Sequence, residues 1–117
     1  MDFEKAKTFC RSLPGATEDI KWCADTVFSV GGKMFMVTGA GVSAYGMSFK
    51  AEDERFLELT DRPGFMPAPY LARSKWVCVA KADAISDQEA AELLRRSYEL
   101  VFAKLTKKLQ REIGAAA

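Results

Sequence analysis

The 117-residue chain contains no histidine. That removes Ser-His and Cys-His nucleophilic pairs, histidine-ligated metals and the commonest general acid/base. Three cysteines, Cys10, Cys23 and Cys78, are an odd number with no close pair, so neither a disulfide framework nor a zinc knuckle is expected. They read as buried reduced thiols, because free cysteine packs like a small hydrophobe. No apolar run approaches the ~18 to 20 residues of a bilayer span. The opening Met1-Asp2-Phe3-Glu4-Lys5 has no basic region followed by an apolar stretch, so a cytoplasmic protein away from membranes is expected. A surplus of one charge is also missing, the formal net charge being +1. Dedicated nucleic-acid domains are clearly basic, so any affinity for a polyanion must come from local asymmetry.

What is present suits one ordinary globular domain. The length matches a single core, and 49% apolar with 28% charged residues lies far from the disordered range. One domain over residues 1–113 is expected, with Gly114-Ala-Ala-Ala as a frayed tail.

Asp2 to Ser12 predicts a first helix. Phe3, Ala6, Phe9, Cys10 and Leu13 share one side at the ~100° helical period, and Pro14-Gly15 ends it. Ala16 to Asp25, with Glu18, Asp19 and Trp22, reads as a connection. Thr26 to Val30 and Lys33 to Val37 are two β-rich runs around Gly31-Gly32, the pattern of a tight hairpin. Gly39-Ala40-Gly41 turns the chain again. Val42 to Lys50 supplies a third strand, with Gly46 as a candidate bulge. Glu52 to Thr60 is a short helix expected to turn Phe56, Leu57 and Leu59 to the sheet. Arg62 to Arg73 carries Pro63, Pro67 and Pro69 and predicts no regular element. Ser74 to Ala80 predicts a central strand. Ser86-Asp87-Gln88-Glu89 is a capping box opening a long helix that reaches about Lys104, with an end as late as Arg111. Its apolar arc is Leu94, Tyr98, Val101, Phe102, Leu105 and Leu109. Consecutive strands with helices at the ends give an α+β fold: a two-layer sandwich with an antiparallel sheet, a three-stranded meander plus at least one later strand.

Several segments resemble the MmcQ/YjbR family of small bacterial proteins. They are Leu13-Pro14-Gly15-Ala16-Thr17-Glu18-Asp19, Val27 to Phe35 with its Gly-Gly-Lys-Met-Phe hairpin, Arg62 to Leu71 leading to Lys75-Trp76-Val77, Ser97-Tyr98-Glu99-Leu100-Val101, and Ala103-Lys104-Leu105. The resemblance implies a CyaY-like or secretion-chaperone-like α+β fold, and DNA binding by a double-wing arrangement. The chain departs from the family at two places. Lys75 stands where relatives often have histidine, which leaves a cation in place. Thr106 stands where they often have proline, which leaves the end of the helix open.

The residues offer three kinds of site. Cations come first. Lys33 sits at the hairpin tip and Lys50 at the end of the third strand, while Arg73 and Lys75 belong to an acid-free stretch from Arg62 to Ala82. Lys104, Lys107, Lys108 and Arg111 form the basic face of the last helix. If they meet in space, they suit the phosphates of double-stranded DNA, with weak, salt-sensitive binding. Taken singly, each is also an ordinary solvated or edge-protecting charge. Trp76 in this stretch reads as core in preference to a base-stacking platform. The alternative is a protein- or peptide-binding adaptor that exposes Met34, Met36, Met47 and Met66, since methionines adapt to varied partners. The third and weakest reading is a pocket under the Arg62 to Leu71 loop where Glu18, Arg73 and Tyr70 converge. Glu18 and Asp19 as an acid/base pair lack a partner. No cofactor, metal or catalytic residue is assigned, and a monomer or weak dimer is expected.

Overall fold

The structure, a computed structural model, describes residues 3–21, 25–39, 46–68 and 71–116. Helix α1 (Phe3–Arg11) leads into β1 (Ala16–Lys21), β2 (Asp25–Val30), β3 (Lys33–Gly39) and β4 (Met47–Lys50). Helix α2 (Asp53–Thr60), β5 (Phe65–Pro67), a 3₁₀ turn at Ala72–Ser74, β6 (Trp76–Val79), α3 (Asp87–Phe102) and α4 (Lys107–Ala116) complete the chain. The strands form one antiparallel sheet in the order β1-β2-β3-β4-β6-β5. The fold is the α+β class that the element pattern predicts, with the β2-β3-β4 meander at its centre. Trp22, Cys23, Gly41, residues 42–45 of the expected third strand, Pro69 and Tyr70 lie outside the described residues.

The sheet is buried on both faces. Toward the helices, Phe28, Val30, Phe35, Met36, Met47, Phe49, Val77 and Val79 pack with Leu93, Leu94, Tyr98 and Val101 of α3. On the other face lies a smaller cluster of Val27, Val37, Ala68, Trp76 and Cys78. Phe35 and Met36 are neighbours in a strand, yet both join the helix-side core. The register slips between Phe28 and Ser29, which pair with Met36 and Met34. Phe35 is therefore the extra residue of a β-bulge.

Ser97 uses this irregularity. Its hydroxyl donates to the Phe35 carbonyl (2.6 Å) and accepts from the Lys50 amide (2.9 Å), tying β3 and β4 to α3. The next residue, Tyr98, donates its hydroxyl to the Pro14 carbonyl and sets its ring edge-on to Phe35 at 5.4 Å. The Leu-Pro-Gly and Ser-Tyr-Glu-Leu-Val segments thus join the two ends of the chain.

Five expectations change. Ala16–Lys21 is an edge strand and not a connection. A short strand, Phe65–Pro67, runs through the proline-rich stretch, at the outer edge where a missing N–H costs no ladder bond. Leu57 is 74% exposed, so of the α2 residues expected to face the sheet only Leu59 is fully buried. The last helix breaks: α3 stops at Phe102, Ala103 to Leu105 turn, and Thr106 starts α4 by accepting from the Leu109 amide (3.2 Å), a normal N-cap bond. The Gln110 side-chain amide closes the elbow by donating to the carbonyls of Phe102, Ala103 and Leu105. Residues read as a tail from Gly114 are helical as far as Ala116.

Candidate nucleic-acid interface

Antiparallel pairing decides which strand ends share a side of the molecule. The end of β2, the start of β3, the end of β4 and the start of β6 all fall at one end of the sheet, since Val30 pairs with Lys33 and Lys50 with Trp76. Lys33, Lys50, Lys75 and Arg73 are therefore brought to that end. Helix α4 lies across the same end. Leu105 and Leu109 pack on Gly31 in the hairpin turn, where a Cβ would come within 2.6 Å of Leu105 Cδ1, and Ile113 packs on Gly15. Both turn glycines have positive φ (Gly31 58°, Gly32 81°), the geometry a two-residue hairpin turn needs. Lys104, Lys107, Lys108 and Arg111 are exposed around these anchors.

Neighbouring cations are linked by direct observations. The half-buried Lys50 donates from Nζ to the Ser74 carbonyl (2.8 Å), between Arg73 and Lys75. Burial, and secondarily the nearby Lys104 charge, push the Lys50 pKa below its ordinary value, with Asp53 opposing. Lys50 and Lys104 line one shallow cleft with Leu100 and the first residues of α2. Lys75 holds a left-handed backbone (φ 63°) that non-glycine residues seldom adopt, with Nζ 5.3 Å from the Phe56 ring centroid. All eight cations singled out in the sequence thus lie along one end of the fold. Among the described residues, none of them forms an ion pair with a carboxylate. The strip has an acidic shoulder, Glu52 to Glu54, beside Lys50.

Other cations behave differently. Arg62 makes a bidentate pair with Glu89 (2.6 and 2.8 Å) and covers the Phe65 ring at 4.5 Å. Hydrogen bonding to Arg62 holds the Glu89 carboxyl below the usual range. The Glu89 side chain is thereby taken from the expected capping box, of which the Ser86 half forms (3.1 Å). Lys81 follows the other end of β6. The acid-free stretch is therefore split, Arg73 and Lys75 going to the strip and Arg62 and Lys81 to the opposite end.

Glu18 is held by Arg11 (2.7 and 2.9 Å), whose hydrogen bonds lower its pKa. It lies on β1, with β2, β3 and β4 between it and the Arg73 side of the sheet, so those two do not converge on a pocket. Trp76 is 5% exposed and belongs to the sheet's second cluster. The four methionines do not form one surface: Met36 and Met47 are fully buried and Met34 is partly buried on the opposite face, while Met66 is 37% exposed. Burial raises the Cys10 pKa to about 12 and raises that of Cys78, leaving both thiols protonated. Sequence reasoning gave no role to Thr106 and Gln110, which set the angle between α3 and α4. A threonine three residues ahead of Leu109 was the available cap signal.

A family model described as YjbR matches residues 11–100. Among solved structures, the Deinococcus radiodurans protein DR2400, with a DUF419 domain, is similar with a TM-score of 0.82 and 28% identity. The match covers 96% of this chain and 87% of that one. No curated protein matches. The match spans the segments read from the sequence between Leu13 and Leu100, among them those that tie the end of α1, the β2-β3 hairpin and α3 together, and stops short of Ala103-Lys104-Leu105: the chain belongs to the YjbR family.

Proposed function

We infer that the protein binds double-stranded DNA through the phosphate backbone, using Lys33, Lys50, Arg73, Lys75, Lys104, Lys107, Lys108 and Arg111. One observation carries this reading: these eight cations share one end of the fold, and none is paired with a carboxylate among the described residues. Their placement runs against local stability. Lys107 and Lys108 occupy the first turn of α4, which has no acidic residue, although a helix start favours negative charge. The Lys104 charge adds to the burial that disfavours the charged form of Lys50. A row of phosphates relieves both strains, and counterion release supplies the affinity.

The β2-β3 hairpin presents Lys33 beside α4 and serves as one wing. Phe65 and Trp76 are buried, so neither offers a face for sequence-tolerant stacking along a single strand. Recognition is therefore of duplex backbone and largely independent of sequence. With a formal net charge of +1, affinity is micromolar and falls steeply with salt. The adaptor reading draws less support, since Met36 and Met47 are buried and Met66 alone of the four methionines is exposed.

Fluorescence anisotropy with a blunt 20-base-pair duplex at low salt tests the reading. A complex that forms at micromolar protein and dissolves as salt rises is expected. Absence of any complex under those conditions overturns it.

A further inference from the structure

The elbow between α3 and α4 encloses an open notch of about 410 Å³ lined by Phe102, Lys107, Gln110 and Arg111. That volume is within the ~300 to 1,000 Å³ range of small-molecule sites. Gln110 and Arg111 stand three and four positions after Lys107 on α4, so each neighbours Lys107 on its surface. Phe102 is partly buried, with its ring stacked on Tyr98 at 5.9 Å and 22°. The notch therefore joins an aromatic ring to two cations; among the described residues neither has an ion-pair partner and no carboxylate lines the notch. The donor end of Gln110 is occupied by three backbone carbonyls, which leaves its side-chain oxygen as an acceptor.

We propose that this notch receives an unpaired nucleobase at a phosphorylated strand end, the base against Phe102 and the phosphate between Lys107 and Arg111. The proposal rests on the DNA-binding reading and deepens it, by assigning to the same strip a preference for ends with an overhang. Chemistry favours this occupant. An apolar side chain seated on Phe102 would partly desolvate both cations without a counter-charge, which is costly. A base carrying its phosphate answers the ring and the charges together, and base-aromatic stacking changes affinity by on the order of 10-fold.

The test compares two duplexes of one sequence with the full chain by anisotropy. One is blunt and the other carries a single-nucleotide 5′ overhang; both bear a 5′-terminal phosphate. The overhang duplex is expected to bind about 10-fold tighter. Phe102→Leu keeps apolar bulk but removes the ring, so the affinity ratio should drop to about one, whereas Phe102→Tyr should keep it. Circular dichroism establishes that each variant is folded. Equal binding of the two duplexes by the parent protein overturns the notch and spares the phosphate strip. A preference that survives in folded Phe102→Leu also overturns the notch. Failure of both duplexes to bind overturns the strip and the notch together. Phe102-dependent binding of a phosphotyrosine peptide, with no overhang preference, overturns it in favour of a protein ligand.

Discussion

The two ends of α3 treat positive charge in opposite ways. Around its start, Lys5 meets Asp87 at 3.6 Å and Arg62 meets Glu89 at 2.6 Å, so each cation is answered by an acid on another element. Around its end, Lys104, Lys107, Lys108 and Arg111 gather beside Lys33, Lys50 and Lys75, with no such answer among the described residues. Paired charges here join elements of the fold. The cations of the strip make no such ties between elements through carboxylates among the described residues, and the Lys104 charge disfavours the charged form of Lys50. A chain of nearly balanced charge that segregates its cations in this way has one pole with the charge that the proposed DNA-binding role requires.

The largest effect should come from reversing charge at the open pole. Lys104→Glu with Lys107→Glu should weaken duplex binding about 100-fold at low salt and flatten the slope of log K against log salt by roughly 1.8. A titration series at several salt concentrations reads both. The same reversal at the answered pole, Lys5→Glu, should leave DNA affinity within twofold, and a comparable loss there would erase the distinction.

Next in size is Ser97→Ala, which strands the buried Phe35 carbonyl and Lys50 amide. Urea unfolding should register a loss of ~1 to 3 kcal/mol. Breaking a pair at the answered pole with Arg62→Met should cost less, ~0.2 to 1 kcal/mol, because the pair is partly solvated. Unchanged DNA affinity in that variant would sharpen the contrast.

The smallest effect runs the other way. Lys104→Met removes a like charge near Lys50 and should stabilise the fold by ~0.2 to 0.5 kcal/mol while weakening DNA binding. A depressed lysine pKa means the folded state binds its proton less readily. The penalty at Lys50 is therefore present at neutral pH and is relieved as pH rises through its lowered value. The carboxylates Glu18, Glu52 and Glu89 are depressed by hydrogen bonds to Arg11, Arg96 and Arg62. Their contribution is full above the ordinary carboxylate pKa and is lost as pH falls through the lowered values. Thermal melts across acidic and alkaline pH would show the two trends.

Much of this architecture is local and could be read from residue order. Gly31-Gly32 dictates the hairpin, and Ser86 ahead of Glu89 marks the start of α3. β1 escaped notice because strand periodicity reports burial. Thr17 to Lys21 lie exposed at the sheet edge, so no apolar alternation betrays them. The elbow after Phe102 escaped because no glycine or proline marks it; a threonine hydroxyl and one glutamine amide do that work. Each cation of the strip was visible singly. Their meeting depends on β6 slotting in beside β4 and on α4 folding back over Gly31, which are long-range events without a local signature.

The Gln110 amide has a further consequence. By clasping three carbonyls at the elbow, it sets the angle at which α4 leaves α3, and so the spacing between Lys104 and the charges beyond it. Those positions are settled during folding, before any partner arrives. On the proposed DNA-binding reading, a duplex would meet a ruler already cut to length, with little backbone freedom left to surrender on contact.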